Sequence, residues 1–393
     1  MDRFSTDPGD AWRLNAGPVA AAEIAVGGPS PVARLRDRMD AADFAAVFLF
    51  VSPQADFATV VAEAEAVFPE AERIACTTAG EIGAQGYAEG RTLAVGLPRR
   101  DFTAGALLIE NLSDPDREGI VDALLAARTR LTETATQKPH SFAFMLTDGL
   151  SLSEDMLSAL VAPVLGGMPF FGGSAGDGVR FGQALVALNG RVAQDAAVMT
   201  LVRTDCPTRV FSLNNLDPTE QRMVVTAADP DRRIVKMINA EPAAREYARI
   251  IGKDPDQLDE FTFAAHPVVV RLGEAHHVRS IQRVNGQGEL VLFSAIDEGA
   301  VLTVADPKPM APHLQAELGR LTNGAAPAAI LACDCILRRI DAAETQSTRA
   351  VSQVLADHRV LGFSTYGEQI GPLHVNQTMT GVAIYPPERD RCR

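Results

Sequence analysis

Several things are missing from this 393-residue sequence, and each absence removes a class of protein. No run approaches the roughly 18 apolar residues that a membrane-spanning helix needs. The opening stretch, "MDRFSTDPGDAWRLNAGPVA", has no basic segment leading into an apolar one, so it does not read as a signal peptide. Positive charge is short: 36 Lys plus Arg stand against 50 Asp plus Glu, a net charge of −14. No basic patch carries interleaved aromatics, so a surface that tracks nucleic-acid phosphates is not expected. Cysteine is sparse and scattered, at Cys76, Cys206, Cys333, Cys335 and Cys392. An odd, dispersed set is no disulfide framework, and Cys333-Asp334-Cys335 lacks the spacing of a zinc knuckle. These residues read as small buried hydrophobes. There is also no P-loop, no helix-opening G-x-G-x-x-G and no C-x-x-C-H for covalent haem. The expectation is a soluble, cytoplasmic protein with no membrane insertion and no nucleic-acid partner.

What is present is a repeat. Apolar residues make up 47% of the chain, enough for a full core in two or three domains. Three segments share one order. The first is "AAVFLFVSPQADFATVVAEAEAVFPEAERIACTTAGE" followed by "RTLAVGL". The second is "SFAFMLTDGLSLSEDMLSALVAPVLGGMPFFGGSAGD" followed by "DAAVMTLV". The third is "AAILACDCILRRIDAAETQSTRAVSQVLADHRVLGFSTYGE" followed by "MTGVAIY". Each reads as a buried strand, an amphipathic helix, a second strand, a Gly-acid turn and a third strand. Unbroken apolar runs suit strands covered on both faces. Strand–helix–strand spacing of this length predicts parallel pairing.

Local signals fill in the elements. Ser52-Pro53 suits a helix start, and Phe57, Val60, Val61, Ala64, Val67 and Phe68 recur at helical spacing. Ser151 and Glu154 have the spacing of a capping box. A further helix is expected over 116–131. After residue 224 the style changes. Two strands flank an Asp229-Pro230-Asp231 turn, and a helix runs from Asn239 to Gly252. "HPVVVRL", "HHVRSIQRV" and "ELVLFSAI" then read as an antiparallel meander. The fold class is therefore α/β: repeated strand–helix–strand units in two packed domains, with an antiparallel meander in the C-terminal half. The expected division is a tail over 1–25, a first domain over 26–220 and a second over 221–388.

Three turns are candidates for chemistry: Gly80-Glu81, Gly176-Asp177 and Gly367-Glu368. Ligands collect at the carboxyl ends of strands in α/β folds, where glycine lets a backbone approach a ligand closely. The acid can accept from an amine; equally, it can simply cap the next element. The third turn is followed by His374, Asn376, Gln377 and Thr378, polar residues ahead of a buried strand. "GGSAG" around Ser174 matches the bare G-x-S-x-G pattern, but the chain after it does not open into a helix as a nucleophile elbow does. A serine hydrolase is kept as a minor alternative. Among seven histidines, His266 stands between apolar residues and His374 beside the Asn-Gln-Thr cluster. A neutral imidazole in an apolar pocket can ligate haem iron.

"CTTAGEIG", "FFGGSAGDG", "INAEPAAREYARIIG" and "GFSTYGEQIGPLHVNQTMTGVAIY" resemble the FIST family, with its N-terminal and C-terminal FIST domains, over roughly residues 40 to 386. The resemblance implies a sensory protein of bacterial signal transduction that binds a small ligand, amino acids among the suggestions, and no enzymatic activity. "CDCILRR", "STYGEQ" and "HVNQT" are also similar to a branch that binds haem, senses nitric oxide and acts on partner histidine kinases. In that reading haem b is held non-covalently. His266 is the first choice of iron ligand, because it replaces a Pro-Leu-Gly pattern of other members, and His374 is the second. The alternative is a sensor of an amino acid or similar metabolite, with Gly80, Glu81, Gly176, Asp177, Tyr366, Gly367, Glu368 and Asn376 lining the pocket. A scaffold without a pocket is the remaining alternative.

Overall fold

The apolar runs form the centres of three mixed sheets. The computed structural model describes residues 11–14, 17–40, 43–272, 275–322 and 324–387. All eight residues of the strand Phe44–Val51 are buried, as a strand covered on both faces requires. The strand Phe44–Val51 pairs parallel with Glu72–Thr77, His140–Asp148 with Phe170–Ala175, and Ala329–Cys335 with Val360–Thr365. Each first strand also pairs antiparallel with the third strand of its unit: Arg91–Pro98, Ala196–Thr204 and Met379–Ile384 respectively. An outer strand then flanks each third strand, Ala20–Ala25, Phe102–Glu110 and Thr208–Leu213. The three-copy pattern of the sequence is thus a three-copy pattern of strand order.

The hairpin that follows each turn does not stay in its own sheet. The pair Glu81–Gly83 and Gly86–Ala88 of the first unit joins the third sheet beside Val360–Thr365. The pair Val186–Leu188 and Arg191–Ala193 of the second unit joins the first sheet beside Glu72–Thr77. The pair Glu368–Ile370 and Leu373–Val375 of the third unit joins the second sheet beside Phe170–Ala175. The exchange is cyclic, so no unit completes its own sheet.

The inner faces of the three sheets share one core. Phe50 stacks on Phe363 with ring centroids 4.8 Å apart, Phe48 meets Phe144 edge-on at 5.2 Å, and Phe144 stacks on Phe171 at 4.6 Å. Such pairs add about 0.5–1.5 kcal/mol each beyond simple area burial. Helices cover the outer faces. Phe57–Val67 buries Phe57, Val60, Val61 and Ala64, the stripe its periodicity predicts. Arg117–Thr134 is capped by Asp116, whose carboxylate accepts from the Gly119 N–H at 3.0 Å.

A fourth sheet holds the meander. Leu216–Asp229 and Ile234–Ile238 flank the turn at Pro230, and Val268–Leu272, Ala275–Val278, Ile281–Val284, Leu290–Leu292 and Val301–Pro307 complete it. Its core gathers Tyr247 and Phe263 with Val225, Val235, Leu290 and Leu302. The helix Ala243–Ile251 ends at Gly252, which adopts the left-handed φ of 69° that favours glycine. Among the described residues no helix is long and apolar enough to cross a membrane.

Five expectations change. Residues 11–14 and 20–25, expected in a tail, are strands of the first sheet, because Ala20–Ala25 has a free edge of Arg91–Pro98 to pair with; residues 1–10 lie outside the description. The strand Leu216–Asp229 runs through the expected boundary at residue 220. Asp56, not Ser52, caps the helix Phe57–Val67, accepting from the Thr59 N–H. Glu154 does not close a capping box; Ser153 stands at the N-cap and the Glu154 carboxylate turns inward. The single helix expected in the third unit is two, Ile336–Glu344 and Thr348–Asp357. Four cysteines are free and buried, and Cys392 lies outside the described residues.

Candidate functional site

The three turns meet one another. The Ala79 N–H donates to the Ser364 carbonyl and the Ser364 N–H to the Gly80 carbonyl. The Gly176 N–H donates to Thr77 and the Gly178 N–H to Thr78. The Tyr366 N–H donates to the Ser174 carbonyl and the Ser174 N–H to the Gly367 carbonyl. Because each hairpin crosses to a neighbouring sheet, each turn is stitched to the next. The Gly-acid pairs therefore surround one locus, and what each faces differs.

The first two turns open on a cavity of about 210 Å³ walled by Gly80, Glu81, Asp177, Arg180, Ser52 and Gln54. Glu81 Oε1 accepts from the Thr78 hydroxyl at 2.6 Å and Oε2 from the Arg91 N–H at 3.1 Å. Burial pushes the Glu81 carboxyl up to about 7, against the pull of those two bonds and of the Arg339 charge. Asp177 is treated differently. Burial alone would raise it, but the Tyr366 hydroxyl and the N–H groups of Gln183 and Gly182 outweigh that and hold it ionised, below its ordinary value. Tyr366 stacks on Phe181 with centroids 4.4 Å apart and accepts from the Asp177 N–H at 3.0 Å, so the second turn is fixed by the third.

The third turn is sealed. Glu368 is fully buried, accepts a short bond from the Thr365 hydroxyl, and its Oε2 makes no hydrogen bond among the described residues. Burial drives its carboxyl well above the ordinary range, which favours the neutral acid. His374 is 1% exposed and kept neutral by burial, with the nearby Asp155 and Glu154 charges opposing. Its Nε2 makes no hydrogen bond among the described residues, nor does either polar atom of the Asn376 amide. A Cβ added at Gly367 would stand 2.7 Å from that Nε2 and 3.0 Å from Asn376 Nδ2, so the glycine makes room for both side chains. Neither Glu368 nor Asn376 walls the 210 Å³ cavity.

Ser174 lies in the same buried network. Its Oγ accepts from Gln369 Nε2 at 3.0 Å and lies 3.4 Å from Glu154 Oε1, while the imidazole of His374 contacts Gln369 at 3.3 Å. No histidine reaches Ser174 among its hydrogen bonds and the residue is 0% exposed. A nucleophile needs both a base and access, so the serine-hydrolase alternative lacks its geometry.

The two histidines expected to bind iron lie in different surroundings. His374 Nε2 is packed against Gly367. His266, expected to be buried, is half-exposed at the end of the helix Glu260–Ala265, and it is its carbonyl that is held, by the Tyr247 hydroxyl at 2.7 Å. Neither residue walls the 210 Å³ cavity or a larger cleft in the meander sheet. No group of three or more His, Cys, Asp or Glu among the described residues could hold a metal ion.

Sequence reasoning passed over the ion pair that ties the meander to this locus. Arg233 Nη2 donates to Glu154 Oε2, with both side chains at most 4% exposed. Arg233 adopts φ 57°, a left-handed conformation that costs a non-glycine residue about 1 kcal/mol or more. No local pattern could reveal this pair, whose members are 79 residues apart.

Comparison with known families agrees with this architecture. Residues 45–241 match the FIST N domain and residues 243–371 match the FIST C domain. A search of curated proteins finds no match. FIST domains are associated with the sensing of small ligands in signal transduction.

Proposed function

The chain belongs to the FIST family, and we propose on that premise that it is a signalling sensor for a compact, amine-bearing metabolite of amino-acid size. One observation carries the reading: Glu81 and Asp177, from two different units, wall the same 210 Å³ cavity. That volume lies below the range of about 300–1,000 Å³ usual for drug-sized ligands, so it suits a small molecule. Asp177, held ionised, attracts an ammonium group, and Arg180 stands in the same wall for a carboxylate. Glu89, in the same wall, is paired with Arg339, and Glu81 adds a further anion as pH rises through about 7. Ligand affinity should therefore rise with pH through neutrality.

A thermal-shift screen of amino acids and simple amines tests this. A ligand at a hundred times its Kd adds about 2.7 kcal/mol of stability. The expected result is a raised melting temperature that disappears in Asp177→Asn and loses its pH dependence in Glu81→Gln. A flat screen, or hits indifferent to both substitutions, removes the reading.

Haem binding and nitric-oxide sensing, with the signal passed to a partner histidine kinase, are a further proposal supported by the sequence resemblance alone. The visible spectrum of the chain purified with haemin supplied decides it. A Soret band lost in His266→Ala or His374→Ala supports the proposal, and its absence removes it.

A further inference from the structure

The meander sheet carries a cleft of about 840 Å³ that is separate from the three turns. Its chemistry is opposite to theirs. We propose that this cleft binds an organic anion, a molecule with an apolar body and a phosphate, sulfonate or carboxylate head; this goes beyond the amine site.

The cleft is opened by a break in a β-ladder. Leu216–Asp229 pairs with Val301–Pro307, but the register jumps between Pro218 and Arg222 while the partner advances only from Ala305 to Thr303. Two extra residues bow the strand outward, an irregularity that recurs beside functional sites. Thr219, inside the bulge, bridges back to the Val304 carbonyl at 2.8 Å and fixes its shape.

In a chain of net charge −14, this wall is cationic. Arg222, Arg271, Arg279 and His276 line it, against Asp297 as its carboxylate among the described residues. Arg222 is exposed and makes no ion pair with the described residues. Arg279 is 9% exposed; its Nη1 donates to the carbonyls of Val278 and His374 at 3.2 and 3.0 Å, which aims the planar head and leaves its other nitrogens for the cleft. A guanidinium fork anchored on one side is suited to carboxylate or phosphate oxygens. Val270, Ile296 and Val301 supply apolar wall for the rest of the ligand. The volume falls in the range of drug-sized ligands, and four times the turn cavity. The bond from Arg279 to His374 ties the cleft to the sealed third turn.

The test uses the full chain and 8-anilinonaphthalene-1-sulfonate, an anion with an apolar body, followed by fluorescence. Saturable binding at one site is expected. Arg222→Glu should weaken it at least tenfold with the melting temperature unchanged, since the side chain is exposed. Val301→Glu, which places a carboxylate on the apolar wall, should abolish it. Displacement by pyrophosphate and ATP but not succinate identifies a phosphate head, and the reverse a carboxylate head. Binding that is absent, or unchanged in both variants, overturns the proposal.

Discussion

The first and third turns begin alike and end differently. In each, a threonine three residues before the glutamate donates its hydroxyl to the carboxyl group, Thr78 to Glu81 and Thr365 to Glu368. The backbone device is the same. Yet Glu81 walls a cavity and titrates near neutrality, whereas Glu368 is fully buried with one oxygen unpartnered among the described residues. The difference comes from the neighbours. Around the first turn stand Arg91 and Arg339; over the third lie His374, Asn376 and the hairpin that crosses into the second sheet. A repeated motif thus fixes a turn's shape and leaves its chemistry to the packing around it.

The largest expected effect breaks the comparison at Glu81. Its carboxyl rises from an ordinary 4.5 to about 7 in the folded protein. Folding therefore takes up a proton there, and the resulting stability, about 3 kcal/mol, is present below pH 4.5 and is lost as pH rises through 7. Urea unfolding of the wild type and Glu81→Gln between pH 5 and 8 checks this. The difference between the two stability curves should change by up to about 3 kcal/mol, the wild type falling with rising pH. Parallel curves would show that Glu81 is ionised throughout and that the first turn is as ordinary as a surface carboxylate.

The glycines give the second contrast. Gly367→Ala would drive a methyl to within 2.3 Å of the His374 ring, which is 1% exposed. Overpacking of this kind costs about 1–3 kcal/mol. At Gly80 the obstruction is the tip of Arg339, which can swing away, and the cost lies in φ +126°, a conformation that alanine resists. Double variants separate the two causes by denaturant unfolding. Removing the ring with His374→Ala should recover part of the Gly367→Ala loss. Arg339→Ala should recover little of the Gly80→Ala loss. Equal recovery at both sites would mean that the third turn is no more tightly packed than the first.

These contrasts mark what the sequence could convey. The repeat was legible because its signals are local: apolar runs such as Phe44–Val51, helical spacing from Phe57 to Ala64, and a Gly-acid turn after each second strand. The convergence of Glu81 and Asp177 on one cavity needed the exchange of hairpins between sheets, and no local pattern encodes which sheet receives a hairpin. Glu154 was misread for the same reason. Its spacing from Ser151 fits a capping box, but a buried guanidinium 79 residues away is a stronger partner than an exposed backbone N–H. The histidines show the converse. Apolar neighbours in sequence suggested a buried His266, and the end of a short helix leaves it half-exposed.

The smallest expected effect is at Glu368 and sharpens the comparison most. Burial favours the neutral acid at Glu368, and a neutral carboxyl has nearly the shape and charge of an amide. Glu368→Gln keeps an oxygen for the Thr365 hydroxyl, so its cost at pH 7 should be about 1 kcal/mol or less. The same exchange at Asp177 removes an ionised group from the wall of the cavity and should abolish the amine response. Two carboxyl-to-amide changes in equivalent turns would then give opposite outcomes, silent in one and complete in the other. If Glu368→Gln also abolished the thermal shift, the third turn would have to open on the ligand, and its seal would be one state of a moving wall.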